Sequence, residues 1–160
     1  VAQLRQGLSR VAWPGRLEEF RHEGPPPCRF LLDGAHNPDG AKVLRDALQN
    51  DFRYGRLILV WASMADKDVA GTLLAVAPLA EEIIFTRPES ERSARPGALR
   101  ALLPAELREQ KRIATTDSVR DALDLAAATA GPDDLICVAG SLYLVGRARQ
   151  LLRGDLVDES

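Results

Sequence analysis

The sequence predicts an α/β fold, a three-layer domain built on a mostly parallel sheet of about six strands. Three observations carry this reading. Runs such as Leu57-Ile58-Leu59-Val60-Trp61 and Leu135-Ile136-Cys137-Val138-Ala139 are apolar without alternation, as expected of strands covered on both faces. They alternate along the chain with segments of helical period. The polar residues richest in chemistry fall where the runs end, and ligands of open α/β sheets sit at the carboxyl ends of strands.

The elements follow in order. Residues 1–9 read as a short helix, and 1–12 as the end of an upstream element or linker. Residues 16–21 suit a first strand, and Glu23-Gly24-Pro25-Pro26-Pro27 a turn. A second strand at 29–33 runs into Gly34-Ala35-His36-Asn37-Pro38. There Asn37 is a good helix N-cap and Pro38 suits the first helical position. The helix over 38–50 puts Ala41, Leu44, Ala47 and Leu48 on one face. A strand at 57–61, a helix at 69–79 and a strand at 82–86 come next. The polar stretch 87–97 reads as a surface loop, and 96–109 as helix broken at Pro104. A short strand at 112–115 precedes the clearest helix, 117–130, stopped by Gly131-Pro132. The last strand, 135–139, leads through Gly140-Ser141 into a helix ending near residue 152. Residues 154–160 read as a flexible tail.

At 160 residues, 46% hydrophobic and 28% charged, the chain suits one globular domain, assigned to 13–153. A net charge of -2 gives no basic face for nucleic acid, and no apolar run reaches membrane-span length. Two cysteines and two histidines without zinc-ligand spacing fit a reducing, cytoplasmic setting. The first residue is Val1, so the chain reads as a processed product or an excised piece of something longer.

Several residue types at the strand ends could carry chemistry, each with a plainer alternative. Asp33 could bond ribose hydroxyls or a cation, or it could cap its loop through backbone N–H groups. His36 could hold a phosphate or carboxylate as a cation or move a proton, or be structural. Ser141 could bond a substrate carboxylate, although its spacing favours a helix N-cap. Lys67, within Asp66-Lys67-Asp68, could meet an anion, or the trio could be a capped helix start. Arg16 reads as an ordinary surface arginine on its own. Neither a Gly-x4-Gly-Lys-Ser/Thr phosphate loop nor a Gly-x-Gly-x-x-Gly dinucleotide signature is present, which argues against an independent ATPase or an NAD enzyme.

Four segments stand in a fixed order: Trp13-Pro14-Gly15-Arg16-Leu17-Glu18, Asp33-Gly34-Ala35-His36-Asn37-Pro38, Asp66-Lys67-Asp68 and Gly140-Ser141-Leu142-Tyr143-Leu144. In order and spacing they resemble the C-terminal domain of folylpolyglutamate synthase/dihydrofolate synthase, of the Mur ligase superfamily, over residues 11–152. The Asp-x-Ala-His-Asn-Pro element is shared with other amide ligases, including cell-wall Mur ligases and cyanophycin synthetase. The first and last segments narrow the choice to the folate branch.

The resemblance implies a Rossmann-like fold and a ligase reaction. ATP phosphorylates a carboxylate of dihydropteroate or of a folate glutamyl tail, and the amine of L-glutamate attacks the acyl phosphate. It implies ATP and Mg2+ as cofactors, with the metal held mainly by an N-terminal ATPase domain of the same polypeptide. That domain is the implied partner, and the chain by itself is expected to be inactive. Carried over by motif, Arg16 reaches the ATP phosphates and Asp33 the ribose region. His36, in a supporting catalytic role, and Ser141 lie towards glutamate. The family's Pro-Arg-Ala order is replaced here by Arg95-Pro96-Gly97-Ala98, which leaves Arg95 without an inherited role. The alternatives are another amide ligase of the superfamily, or a non-catalytic nucleotide- or amino-acid-binding module.

Overall fold

The computed structural model of the chain describes residues 14–23, 27–65 and 68–154. Within them the strands are β1 (Glu18–His22), β2 (Cys28–Asp33), β3 (Leu57–Trp61), β4 (Glu82–Phe85), β5 (Arg112–Thr115) and β6 (Leu135–Ala139). The helices are α1 (Pro38–Asn50), α2 (Val69–Val76), α3 (Pro96–Ala101), α4 (Ala105–Gln110), α5 (Val119–Thr129) and α6 (Leu142–Arg153). The strands form one six-stranded sheet in the order β1-β2-β6-β3-β4-β5. All neighbours pair in parallel except β1, which runs antiparallel to β2 at the edge.

Side chains alternate between the two faces of the sheet, and each face has its own core. On one side Leu57, Leu59 and Trp61 join Leu31, Ile83 and Cys137 beneath Ala41, Leu44 and Leu48 of α1, Leu73 and Val76 of α2 and Leu99 of α3. On the other, Ile58 and Val60 join Leu32, Ile84, Ile136 and Val138 beneath Ala122 and Ala126 of α5 and Leu144 and Ala148 of α6. Both sides of the central strands are therefore dry, which explains their unbroken apolar sequences. Each fully buried Leu or Ile there contributes about 2 kcal/mol by removal from water.

Strand register places the functional edge. Asp33 of β2 pairs with Ala139 of β6, and Ala139 with Trp61 of β3, so the three carboxyl ends are level. The helix after β2 crosses to one face and the helix after β6 to the other. The loops of two adjacent strands thus diverge, which is the switch point where open α/β sheets bind ligands.

Several boundaries differ from the sequence expectation. The first strand begins at Glu18 rather than at 16, because residues 14–17 form a turn held from outside, and Arg16 stands in that turn rather than on a strand. The helix expected over 69–79 ends at Val76, and Ala77–Leu79 tighten into a 3-10 turn around Pro78, which has no N–H to continue the ladder. The break at Pro104 separates two short helices, α3 and α4. The helix expected over 117–130 is Val119–Thr129, started by the Ser118 side chain accepting the Asp121 N–H. The expected helix at 1–9, Trp13, Gly24-Pro25-Pro26 of the first turn, the Asp66-Lys67 pair and the tail after Gly154 lie outside the described residues.

Candidate functional site

Three loops meet at the level ends of β2, β6 and β3. The turn before β1 is bonded to the loop after β2 through Gly34 N–H donating to the Gly15 carbonyl at 2.7 Å. The loop after β2 is bonded to that after β6 through Gly140 N–H donating to the Ala35 carbonyl at 2.9 Å. Gly140 is required there. Its φ is 106°, and a Cβ would stand 2.2 Å from the Ala62 carbonyl oxygen and 2.6 Å from the Trp61 ring. Trp61 itself is fully buried, with its indole N–H donating to Ser63 Oγ at 2.8 Å.

Asp33 closes β2 and is 9% exposed. Its Oδ1 accepts the Ala35 N–H at 2.9 Å and its Oδ2 the Leu17 N–H at 3.0 Å. Burial pushes its carboxyl above the ordinary aspartate value, against the opposing pull of those two N–H groups and the Arg16 charge. The plainer of its two sequence readings, capping through backbone N–H groups, is thus realised in the structure, and here it joins two loops.

Arg16 is exposed and makes no side-chain hydrogen bond or ion pair among the described residues. Its neighbours on both sides are fixed. Gly15 donates its N–H to Glu18 Oε1 at 3.0 Å, and Leu17 is held by Asp33 in a left-handed conformation, φ 45°. A solvent-exposed guanidinium on a held backbone suits an anion arriving from outside.

His36 is half-buried, with Nδ1 2.8 Å from the Gly34 carbonyl oxygen. A carbonyl can only accept, so Nδ1 carries the hydrogen, and Nε2 is the acceptor of the neutral ring. Asn37 is the cap of α1, its side-chain oxygen accepting the Gly40 N–H at 2.8 Å.

Ser141 is 1% exposed. Its Oγ accepts the N–H groups of Tyr143 at 3.2 Å and Leu144 at 3.4 Å, the N-cap its spacing favoured. Beside it Leu142 and Tyr143 are 60% and 59% exposed, an apolar pair on the same rim. Asp68 caps α2 through the Gly71 N–H at 3.1 Å.

The structure therefore gathers Arg16, Asp33, His36 and Ser141 around the β2–β6 crevice. It leaves the 87–97 region apart. Arg87 and Arg95 instead line a separate cavity of about 460 Å³ with Thr115, Thr116 and Asp117, at the ends of β4 and β5 beyond β3. Sequence reasoning did not single out Glu18, whose carboxylate holds Gly15. The signal available was its place in the Gly15-Arg16-Leu17-Glu18 run. Among the described residues no group of three His, Cys, Asp or Glu side chains could hold a metal ion. No described helix is long and apolar enough to cross a membrane.

Comparison with known proteins agrees with this architecture. A dihydrofolate synthase/folylpolyglutamate synthase of Mycobacterium tuberculosis is 35% identical over 165 residues, covering 95% of this chain and 33% of the relative. The structure of Mycobacterium tuberculosis folylpolyglutamate synthase complexed with ADP superimposes with a TM-score of 0.75 at 32% identity, over 94% of this chain and 35% of that one. The Yersinia pestis bifunctional folylpolyglutamate synthase/dihydrofolate synthase with Mn, AMPPNP and L-glutamate bound gives 0.76 at 29% identity, over 94% and 34%. The chain spans about a third of the length of the dihydrofolate synthase/folylpolyglutamate synthase relatives and about a sixth of that of two probable bifunctional folylpolyglutamate synthase/dihydropteroate synthases. The family described as "Mur ligase, glutamate ligase domain" matches residues 15–142. That stretch runs from the turn holding Arg16 through every strand of the sheet to the start of α6, and the chain belongs to this Mur ligase glutamate ligase domain family.

Proposed function

We propose that the chain is the C-terminal part of an ATP-dependent ligase that adds L-glutamate to dihydropteroate, to folates, or to both. Its task is to close over the nucleotide while an ATPase domain of the same polypeptide carries the phosphate loop and the Mg2+ ligands. The observation that carries this reading is the exposed Arg16, held on a fixed turn at the β2–β6 crevice. Relatives with the same fold include proteins described as bound to ADP, and to Mn, AMPPNP and L-glutamate.

ATP supplies the activation that makes a carboxylate attackable by an amine. The residues of this chain would bind and orient. The Arg16 fork pairs with phosphate oxygens, adding positive charge where negative charge shifts during transfer. Asp33 keeps acceptor capacity beyond its two N–H bonds, for ribose hydroxyls at the rim. His36 offers Nε2 towards the amine of glutamate, and Ser141 orders the first turn of α6 on that side. The exposed Leu142 and Tyr143 help exclude water once the domain has closed. The setting is cytoplasmic, where folates and nucleotides meet.

The test is ATP-dependent incorporation of glutamate into dihydropteroate and into tetrahydrofolate by the full-length polypeptide that carries this chain. Activity on either substrate that falls at least about 100-fold in Arg16→Ala supports the proposal. A folded full-length protein active on neither substrate overturns it in favour of another amide ligase of the superfamily.

A further inference from the structure

We infer that Glu18 and Arg149 are positioning residues for Arg16. The inference rests on the reading that Arg16 meets the nucleotide.

Glu18 opens β1 and is 8% exposed. Its Oε1 accepts from two donors. One is the Gly15 N–H at 3.0 Å, and the other is Arg149 Nε at 2.9 Å, from a residue 131 positions away on α6. A single carboxylate oxygen therefore ties the backbone immediately ahead of Arg16 to the last helix. The helix also touches the turn directly: a Cβ on Gly15, whose φ is 71°, would meet Val145 Cγ1 at 3.1 Å. On the other side the turn is held by Asp33 at Leu17 and by the Gly34 N–H at the Gly15 carbonyl.

The turn needs these ties. Leu17 at φ 45° is in a conformation that costs a non-glycine residue energy, so the local sequence does not favour it. Without Glu18, the Gly15 N–H loses its acceptor and Arg149 its partner, and the end of the turn facing α6 is released. Arg16 makes no side-chain hydrogen bond of its own among the described residues, so the held backbone is what sets where its side chain starts from. Because α6 begins at Leu142 with Ser141 as its cap, the same helix carries one rim of the crevice and sets the arginine on the other. A misplacement of about 1 Å at such a group is enough to weaken a bidentate contact many-fold.

The experiment is a double-substitution cycle on the full-length polypeptide, read as the Kd for ATP by calorimetry and as KM for ATP and kcat. With Arg16 present, Glu18→Ala is expected to weaken ATP binding by about tenfold. In the Arg16→Ala background the same substitution is expected to change nothing further. Glu18→Gln keeps an oxygen that can accept from both donors, and is expected to recover most of the affinity that Glu18→Ala loses. An equal loss in both backgrounds, or no loss with Arg16 present, overturns the inference. If Glu18→Ala does not fold, Arg149→Gln takes its place in the same cycle and is judged by the same two patterns. A failure of the underlying reading looks different: Arg16→Ala alone then binds ATP like the unsubstituted protein, which removes the role of Arg16 and this inference with it.

Discussion

Asp33 Oδ2 accepts the Leu17 N–H at 3.0 Å across sixteen residues of sequence, and that bond holds Leu17 at φ 45°. The residue next to the candidate anion ligand is thus in a disfavoured conformation, fixed by a nearly buried carboxylate. The acid that the sequence presents as a ribose or cation ligand also builds the turn that displays Arg16.

This separates the two residues by stability. Asp33→Ala leaves the Leu17 and Ala35 N–H groups without acceptors and is expected to cost about 2 kcal/mol in denaturant unfolding. Arg16→Ala is expected to stay within about 0.5 kcal/mol of the parent, since the side chain is exposed. Comparable losses in both variants would mean that Arg16 supports the fold.

Gly140→Ala is expected to be among the most damaging single substitutions. The added Cβ would stand 2.2 Å from the Ala62 carbonyl oxygen, at a backbone φ of 106°. Backbone on both sides must move, at a cost on the order of 3 kcal/mol. Thermal unfolding of the purified variant reads this directly, and a Tm equal to the parent's would show that the rim yields easily.

At the amino ends of the central strands, Asp134 is 6% exposed and accepts the N–H groups of Gly131 at 2.7 Å and Arg56 at 2.9 Å, with the Arg56 guanidinium at 2.8 Å. Burial alone would raise its carboxyl pKa; the Arg56 side chain and the two N–H groups outweigh this and hold it below the ordinary value of 3.8. A carboxyl held low in the folded state stabilises above its unfolded pKa, and that stability is lost as pH falls through the folded one. The unfolding free energies of the parent and Asp134→Asn are therefore expected to differ most above about pH 5 and to converge in stronger acid. A gap that widens in acid would contradict the assignment. Asp33, whose pKa is raised by burial, contributes in the opposite sense: the stability it costs sets in as pH rises from its unfolded value towards its folded one.

Both cysteines are buried, and burial pushes both thiols above the usual range, Cys137 much further than Cys28. A buried thiol that resists ionisation is a poor nucleophile. Neither is expected to react with an aromatic disulfide reagent in the folded protein, and both should react in denaturant. Rapid native labelling of Cys137 would show that the sheet opens around it.

Much of the fold was legible because burial is written locally. The strands at 57–61, 112–115 and 135–139 and the helix at 38–50 match the structure residue for residue, since apolar runs and a 3.6-residue stripe report which side chains leave water. The level ends of the strands, and with them the neighbourhood of Asp33, His36 and Ser141, follow from reading the sheet as parallel. The start of β1 was misread for the complementary reason. Leu17 and Gly15 are set by Asp33 and by Glu18 with Arg149; Glu18 is a near neighbour, but Asp33 and Arg149 lie far off in sequence, and nothing local signals their bonds.

The sequence by itself determined the kinds of element, the two-sided core and the motif residues at the strand ends, because periodicity and capping act over one or two turns. Only the tertiary structure decided that β6 lies between β2 and β3, that α1 and α6 leave the crevice on opposite faces, and that one oxygen of Glu18 joins Gly15 to Arg149. Those choices depend on which distant groups come within about 3 Å of one another, a distance set by the packing of the whole domain.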